Sequence, residues 1–390
     1  MSFKLRYFYH PESDSYCSMT AAEYAKACKT VDGQLLVELT QKEYLHRKAD
    51  QEAKASTSQF MVSQSKVKTW LACKRRYHYR YIEKLRRVKK GRPLTFGSMV
   101  HDMIEAHTNG DDPFEVLDKW ELEQGKHFKA EAEIYGDLIV DIGFIMEDYF
   151  SKWKTDKKDK LTYIEINGKK AEHAFAIPLE PKLLLTGKID GFAKTPDKLK
   201  WLVEHKSFNR RPSEEFRWLN LQSSVYIRIS EMIGWPEVDG TMWDYIHSRP
   251  PKLPEALKGG KVSQKKIDVL PSALRSFLSD NKIKATAVPD LMKHAETTVR
   301  DNYFFRIRNP LTAKVVDAIY SDFIDAIHDM RDNHGKLKMR SIDKHCQWCD
   351  YAPPCKAEML GHDVKFLIKR EYVRDEKTHE DLVITEAVDG

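Results

Sequence analysis

No uninterrupted apolar stretch of the sequence approaches the roughly 20 residues that a membrane-crossing helix needs, and mean hydropathy is −0.59. A helical membrane span is therefore excluded. The opening residues MSFKLRYFYHPESDSY carry neither the apolar core nor the small-residue cleavage site of a secretory signal, so a cytoplasmic location is expected. Six cysteines among 390 residues are too few for a disulfide scaffold. A reducing compartment is the expected setting, and clustered cysteines there read first as metal ligands. No GxxxxGK[ST] is present, which excludes a P-loop motor, and no internal repeat is visible, which sets aside solenoids and propellers. What is present, 41% hydrophobic, 11% aromatic and 32% charged residues, is the composition of an ordered globule. The length predicts two or three structural units.

The net charge of +6 is unevenly placed. The last twenty residues, Glu371 to Gly390, hold seven acids and two bases, which leaves the preceding body at +11. Residues 64–92 hold twelve Lys or Arg against the single acid Glu83, so the positive excess of the body sits in 29 residues. A directional field of that kind suits a polyanion, nucleic acid first. The acidic end reads as a solvated tail.

Residues 1–60 read as a mixed polar segment with two short elements, Phe3–Phe8 and Ala21–Cys28, and its small, polar end ADQEAKASTSQ reads as a linker. It then predicts a helix from Ser63 to about Arg87, another over 97–108, and a helical run over 113–153 interrupted near Gly125 and Gly136. The period changes to strands at 171–177, 182–193 and 199–208, followed by a helix over 213–233 and a strand over 238–247. After the Pro/Gly-rich loop 249–262, helices are expected at 264–280, 288–300 and 311–332. This order points to an α/β or α+β domain.

The sharpest chemical signal lies in LLLTGKIDGFAKTPDKLKWLVEHKSF. Asp190 closes one expected strand and Glu204-His205-Lys206 closes the next. Residues two apart in a strand share a face, so Glu204 and Lys206 point together, and a hairpin brings Asp190 towards Glu204. Two carboxylates beside a lysine form an oxygen-rich site for Mg²⁺ or Mn²⁺, with the lysine placed to activate water or to stabilise a phosphate under attack. Taken singly, the same residues also read as a surface pair on an ordinary hairpin. His101 on an upstream helix offers a further ligand, and Gln222 and Tyr226, four apart, share one face of a downstream helix.

The ordered set GSMVH (97–101), GKID (187–190), EHK (204–206) and QSSVY (222–226) resembles the RecB-type branch of the PD-(D/E)XK nucleases. That branch includes the nuclease domains of RecB and AddB and the RecB-like exonucleases of CRISPR adaptation. The resemblance covers about residues 60–360. It implies a restriction-endonuclease-like α/β core with a central mixed sheet and flanking helices, preceded by an appendage (1–60) and followed by an acidic tail (361–390). It implies that His101, Asp190 and Glu204 ligate Mg²⁺ or Mn²⁺, with the backbone carbonyl of His205 completing the shell. Lys206 is then the catalytic lysine, and Gln222 and Tyr226 form the family's QxxxY motif, which contacts DNA beside the scissile phosphate. The implied activity is a DNA exonuclease working on single-stranded or duplex ends in recombination, repair or replication, of phage or mobile-element type. A helicase or recombination protein would act in trans. A structure-specific endonuclease and a non-catalytic DNA-binding recombination subunit are the alternatives.

Cys346-x2-Cys349-x5-Cys355 supplies three thiols near the C-terminus and Cys73 a fourth. Four thiolates suit a tetrahedral Zn²⁺ or a [4Fe–4S] cluster, and His345, Cys17 and Cys28 keep zinc open. The stretch SKVKTWLACKRRYHYRYIEKL resembles the first-cysteine helix of the iron–sulfur-bearing members, although Lys74 stands where a proline commonly follows the cysteine. The resemblance implies a structural [4Fe–4S] cluster on Cys73, Cys346, Cys349 and Cys355. Lys74, Arg75, Arg76 and Arg80 are expected to meet DNA phosphates, with Tyr77, Tyr79 and Tyr81 for base stacking. Three tyrosines at alternate positions cannot share one helix face, so part of that set belongs to a core.

Overall fold

The computed structural model describes residues 6–10, 15–19, 21–27, 36–40, 42–45, 59–88, 91–124, 138–257, 261–263 and 265–375. All of the expected linker 49–59 but Gln59, residues 3–5 of the first expected element, Cys28, the glycines at 125 and 136, and residues 376–390 of the acidic tail lie outside them.

Seven strands form the central sheet: β1 (Phe60–Ser63), β2 (Thr162–Tyr163), β3 (Ala171–Glu180), β4 (Leu183–Lys194), β5 (Lys200–Phe208), β6 (Gly240–His247) and β7 (Phe304–Pro310). The spine is β4, an almost continuous buried run that reads as a strand covered on both faces. One of its edges carries β2 and β3, both antiparallel. Its other edge is shared: β1 runs parallel along residues 183–186, and β5 pairs antiparallel with residues 191–194. Beyond β5, β6 is parallel and β7 antiparallel, so the sheet is mixed. Gly187 of β4 is required by packing, because a Cβ there would lie 2.4 Å from the Phe175 ring.

Helices α1 (Gln64–Ala72), α2 (Arg92–Asn109), α3 (Leu138–Thr155), α4 (Leu221–Met232) and α5 (Ala313–Asp332) cover the sheet. Val67, Trp70, Val225, Ile229, Phe323 and Ile327 of α1, α4 and α5 form one core with Leu185, Ile189 and Leu202 of the sheet. Met99, Met103, Ile142 and Met146 of α2 and α3 form the other, with the helix Pro271–Asp280 and the run 289–303. The chain is thus an α/β protein with helices on both sides of a mixed sheet. Among the described residues no helix is long and apolar enough to cross a membrane. Near the N-terminus, Arg6–His10 lies between Ser15–Met19 and Val37–Leu39 in a small separate antiparallel sheet, where Phe8 stacks on Tyr24 at 4.4 Å.

Several elements differ from the sequence reading, each for a local reason. The helix expected to run unbroken from Ser63 breaks at Cys73, which is extended (φ −166°, ψ 115°), and the Arg75 N–H bonds the Met339 carbonyl at 2.9 Å. After a π turn at His78–Ile82, Leu85–Arg87 becomes a strand by pairing with Tyr372–Arg374, within the stretch read as tail. The helix expected over 213–233 divides because the Asn220 side chain accepts the Gln222 and Ser223 N–H groups and starts α4 afresh. The helix expected from residue 264 begins only at Pro271, and Leu270 before it is extended, as a residue preceding proline prefers. The edge strand β7 has no counterpart among the expected elements.

Candidate active site

The site forms where β4 and β5 part. Their ladder runs from Lys194↔Lys200 to Gly191↔Val203 and stops one pair short of Asp190 and Glu204. Residues 187–190 therefore lack a strand partner on that edge, between the end of β1 and the start of the β5 ladder. Asp190 repairs the opening with its side chain, Oδ2 accepting the His205 N–H at 2.7 Å. His101 enters from α2. Its Nε2 lies 3.2 Å from the His205 carbonyl oxygen, and its Nδ1 lies 3.3 Å from Glu172 Oε1 and 3.9 Å from Asp190 Oδ2. Potential ligand atoms of His101, Glu172 and Asp190 all lie within 4.8 Å of one another, the one such group of His, Cys, Asp and Glu among the described residues.

Glu204 is fully buried and sits outside that group. Its Oε1 accepts from Lys206 Nζ and from Gln222 Nε2 (2.8 Å), while Oε2 is buried without a hydrogen-bond partner. Lys206 also reaches Gln222 Oε1 at 3.5 Å. Tyr226 lies beneath, buried edge-on to Phe175 at 5.7 Å. Burial raises the Glu204 pKa to about 7, against the pull of Lys206 and helped by the Asp190 charge. Burial opposes the Lys206 cation, yet Glu204 and Asp190 hold its pKa above the ordinary value. Burial likewise opposes a His101 cation, but Asp190 and Glu172 lift that group to about 9. Two carboxylates and a histidine within ligand reach of one another, beside the buried Glu204 carboxylate, make a donor set that suits a hard divalent cation.

The family model of the PD-(D/E)XK nuclease superfamily matches residues 61–356. This chain belongs to that superfamily. Membership carries metal-dependent nuclease chemistry. Among solved structures, this PD-(D/E)XK chain is similar to the one described as "Crystal structure of SSO0001", with 12% identity, 81% of this chain and 95% of that chain covered, and a TM-score of 0.25. No curated protein sequence matches it.

Within this superfamily member, the residues read from the sequence fall into three groups. His101, Asp190, Glu204, His205, Lys206, Gln222 and Tyr226 converge on the opening. Glu172, which sits in no quoted motif, converges there as well; its signal in sequence is only a charged residue near the start of a strand. The basic stretch is more divided. Arg75 is bound to Glu358 and lies over the Tyr79 ring at 4.7 Å, and Lys74 lies over Trp70 at 4.3 Å. Tyr77 and Tyr79 are buried, with Tyr77 hydrogen-bonded to His334 and Tyr79 to Glu358. Arg80 is exposed and Arg76 half-buried. Lys68, which no sequence motif marks, is the base whose charge meets the site: burial, Lys206 and Arg76 all push its amine pKa down.

The cysteine-bearing segment docks on this same stretch. Tyr351 stacks between Tyr79 (5.7 Å) and Tyr372 (5.9 Å), and its hydroxyl donates to the Leu85 carbonyl at 2.6 Å. Glu358 on α6 (Ala352–Met359) joins Arg75 to Arg340, whose Nε lies 3.3 Å from Cys355 Sγ. Cys73 is buried, and Cys346, Cys349 and Cys355 are half-buried. Their sulfurs do not form a compact ligand group of the kind seen at His101.

Proposed function

We propose that this chain is a Mg²⁺- or Mn²⁺-dependent deoxyribonuclease that degrades DNA from its ends. The observation that carries the reading is the convergence of His101, Glu172 and Asp190, whose potential ligand atoms lie within 4.8 Å of one another at the strand opening that also holds Glu204 and Lys206. His101, Asp190 and Glu204 would hold the ion, with the His205 carbonyl beside them. Once bound, a divalent ion supplies Lewis-acid stabilisation of the phosphoryl oxygens and a more acidic water. Lys206, fixed between Glu204 and Gln222, keeps its proton and presents positive charge where the phosphate gains negative charge. Gln222 holds both partners in place from the first turn of α4, and Tyr226 closes the floor against water. Lys68, Arg76 and Arg80 supply the backbone-binding track towards the cysteine segment. The end-directed mode, and a role in recombination, repair or replication beside a motor in trans, rest on the resemblance to the RecB-type enzymes.

The decisive assay incubates wild type and Lys206→Ala with end-labelled single- and double-stranded DNA, in Mn²⁺ or EDTA. Metal-dependent shortening from ends by the wild type alone is expected. Binding without cleavage by the wild type would leave a DNA-binding subunit, cleavage of closed circles an endonuclease, and cleavage surviving Lys206→Ala would place the chemistry elsewhere.

The reading includes a structural [4Fe–4S] cluster on Cys73, Cys346, Cys349 and Cys355. It is supported by the CxxCx5C spacing and by the docking of that segment on the Cys73 stretch through Tyr351 and Glu358. Metal binding then adds to folding stability. Cys349→Ser should lose iron, visible absorption and melting temperature together. Zinc in place of iron in the purified protein would reassign the site.

A further inference from the structure

Residues 207–221 leave the site at Lys206 and return to it at Gln222, and the side chains of those two residues lie 3.5 Å apart. A surface loop of this size with its ends together is a frequent carrier of function. Its outer part bears the exposed side chains of Arg210, Arg211, Phe216, Trp218 and Leu219. Clustered exposed apolar side chains are informative where a single one is not. Of the eight tryptophans, two are exposed, Trp218 at 48% and Trp348 at 76%. Trp348 belongs to the cysteine segment. Trp218 stands four residues before Gln222, within about 14 Å of it even in extended chain.

The loop is held from beneath while Trp218 is left open. Phe216, on the short helix Glu214–Trp218, meets the buried Trp243 ring at 6.3 Å, and Trp243 stacks on Tyr245 at 6.0 Å. Trp243 and Tyr245 are in register with Glu204 and Lys206 across the β5–β6 ladder, so they share the face of those two residues. Arg211 lies over the Phe305 ring at 4.4 Å, and Asn309 Nδ2 donates to the Arg217 carbonyl at 3.3 Å. Among the described residues no ring or cation packs on the Trp218 indole. The loop carries three arginines against Glu214 and Glu215, which occupy the first turn of the helix, away from Trp218. An open indole beside arginines suits a nucleobase and its phosphate. Within a duplex both faces of a base are already stacked, so such a ring serves only an unpaired base.

We propose that Trp218, anchored through Phe216, is a stacking platform for an unpaired DNA base at the rim of the site, so that the end to be cut is taken as a single strand. This inference rests on the deoxyribonuclease reading above and adds the strand state of the substrate.

The test measures anisotropy of fluorescein-labelled oligo-dT, an abasic strand of equal length and a blunt duplex, in Ca²⁺ and again in EDTA, with Mg²⁺ and Mn²⁺ left out. Wild type should bind oligo-dT more tightly than either other probe. Trp218→Ala should weaken oligo-dT binding at least about fivefold, the low end for one lost base–aromatic stack, with duplex binding and melting temperature unchanged. Trp218→Phe should restore most of that loss, and Trp218→Leu, apolar but without a π face, should not. Oligo-dT affinity within about twofold of wild type in Trp218→Ala overturns the proposal. Equal weakening on all three probes does the same, and so does full binding by Trp218→Leu, which would give this surface to a protein partner. Should Trp218→Ala fold poorly, the contrast between Trp218→Phe and Trp218→Leu decides. Wild type that binds none of the probes would defeat the deoxyribonuclease reading itself, an outcome distinct from wild type and variants binding alike.

Discussion

Glu204 and Asp244 are neighbours on adjacent strands, both fully buried, and they titrate in opposite directions. Burial works against both anions. At Asp244 it is overridden: Oδ1 is buried without a hydrogen-bond partner, as Glu204 Oε2 is, but Oδ2 accepts from Tyr149 (2.6 Å) and Arg306 (3.0 Å) and lies 3.4 Å from His205 Nδ1, and the carboxyl falls to about 2. At Glu204 one oxygen shares Lys206 and an amide, the other has no partner, Asp190 adds negative charge, and the carboxyl rises to about 7. The two sit on opposite faces of the sheet, because Asp244 is in register with His205 and Glu204 is one residue off. Equal burial therefore does not define a site; the supply of compensating charge does. On the Asp244 face the Arg306 guanidinium supplies the compensating charge, and Tyr163, 3.2 Å from His205 Nε2, extends that network. On the Glu204 face the one cation within hydrogen-bond reach, Lys206, is shared with Gln222 and leaves the carboxyl near neutral pH.

The comparison breaks most readily at Asp244. Asp244→Asn leaves Arg306 buried beside a neutral partner, and a loss of about 3–5 kcal/mol in urea unfolding is expected. A loss under about 1 kcal/mol would show that buried Arg306 does not depend on Asp244 for its compensating charge.

The pH dependence is the next test. The Asp244 pKa is depressed, so its contribution is present above the ordinary 3.8 and vanishes as pH falls through about 2. The Glu204 pKa is raised, so ionising it costs stability, and the metal-free protein should weaken as pH climbs from 4.5 through about 7. Glu204→Gln should flatten that alkaline limb, and Asp244→Asn the acid one. Swapped effects would refute the assignment of the two faces.

The smallest effect is on stability at fixed pH. At about pH 8 without metal, Glu204→Gln should match wild type or exceed it by on the order of 1 kcal/mol, while Mn²⁺ affinity and cleavage are lost. A destabilisation as large as that of Asp244→Asn would sink the contrast, since Glu204 would then be structural as well.

Much of this site is legible in the sequence. Asp190, Glu204 and Lys206 follow from strand alternation and a hairpin, and Gln222 and Tyr226 from helical spacing, because those periods depend only on backbone geometry. His101 is legible through its motif. Glu172 is not, because its place beside His101 depends on the reach of α2 across the sheet. The break at Cys73 escapes local pattern for a similar reason: the Arg75 N–H is captured by Met339, 264 residues away in sequence. As sequence, Tyr77 and Tyr79 suit DNA and a core alike, and packing against His334, Tyr351 and Glu358 puts them in the core.

By itself, the sequence narrowed the class to α/β or α+β and determined the order of the chemical groups and the concentration of positive charge in one segment. These are properties of local pattern and composition. The tertiary structure decided which buried carboxyl is held ionised and which is pushed towards its neutral form, which arginines are tied to acids, and which glutamate joins His101. Each of those depends on partners distant in the chain, and in a buried, low-dielectric setting the distance to a partner outweighs the identity of the residue.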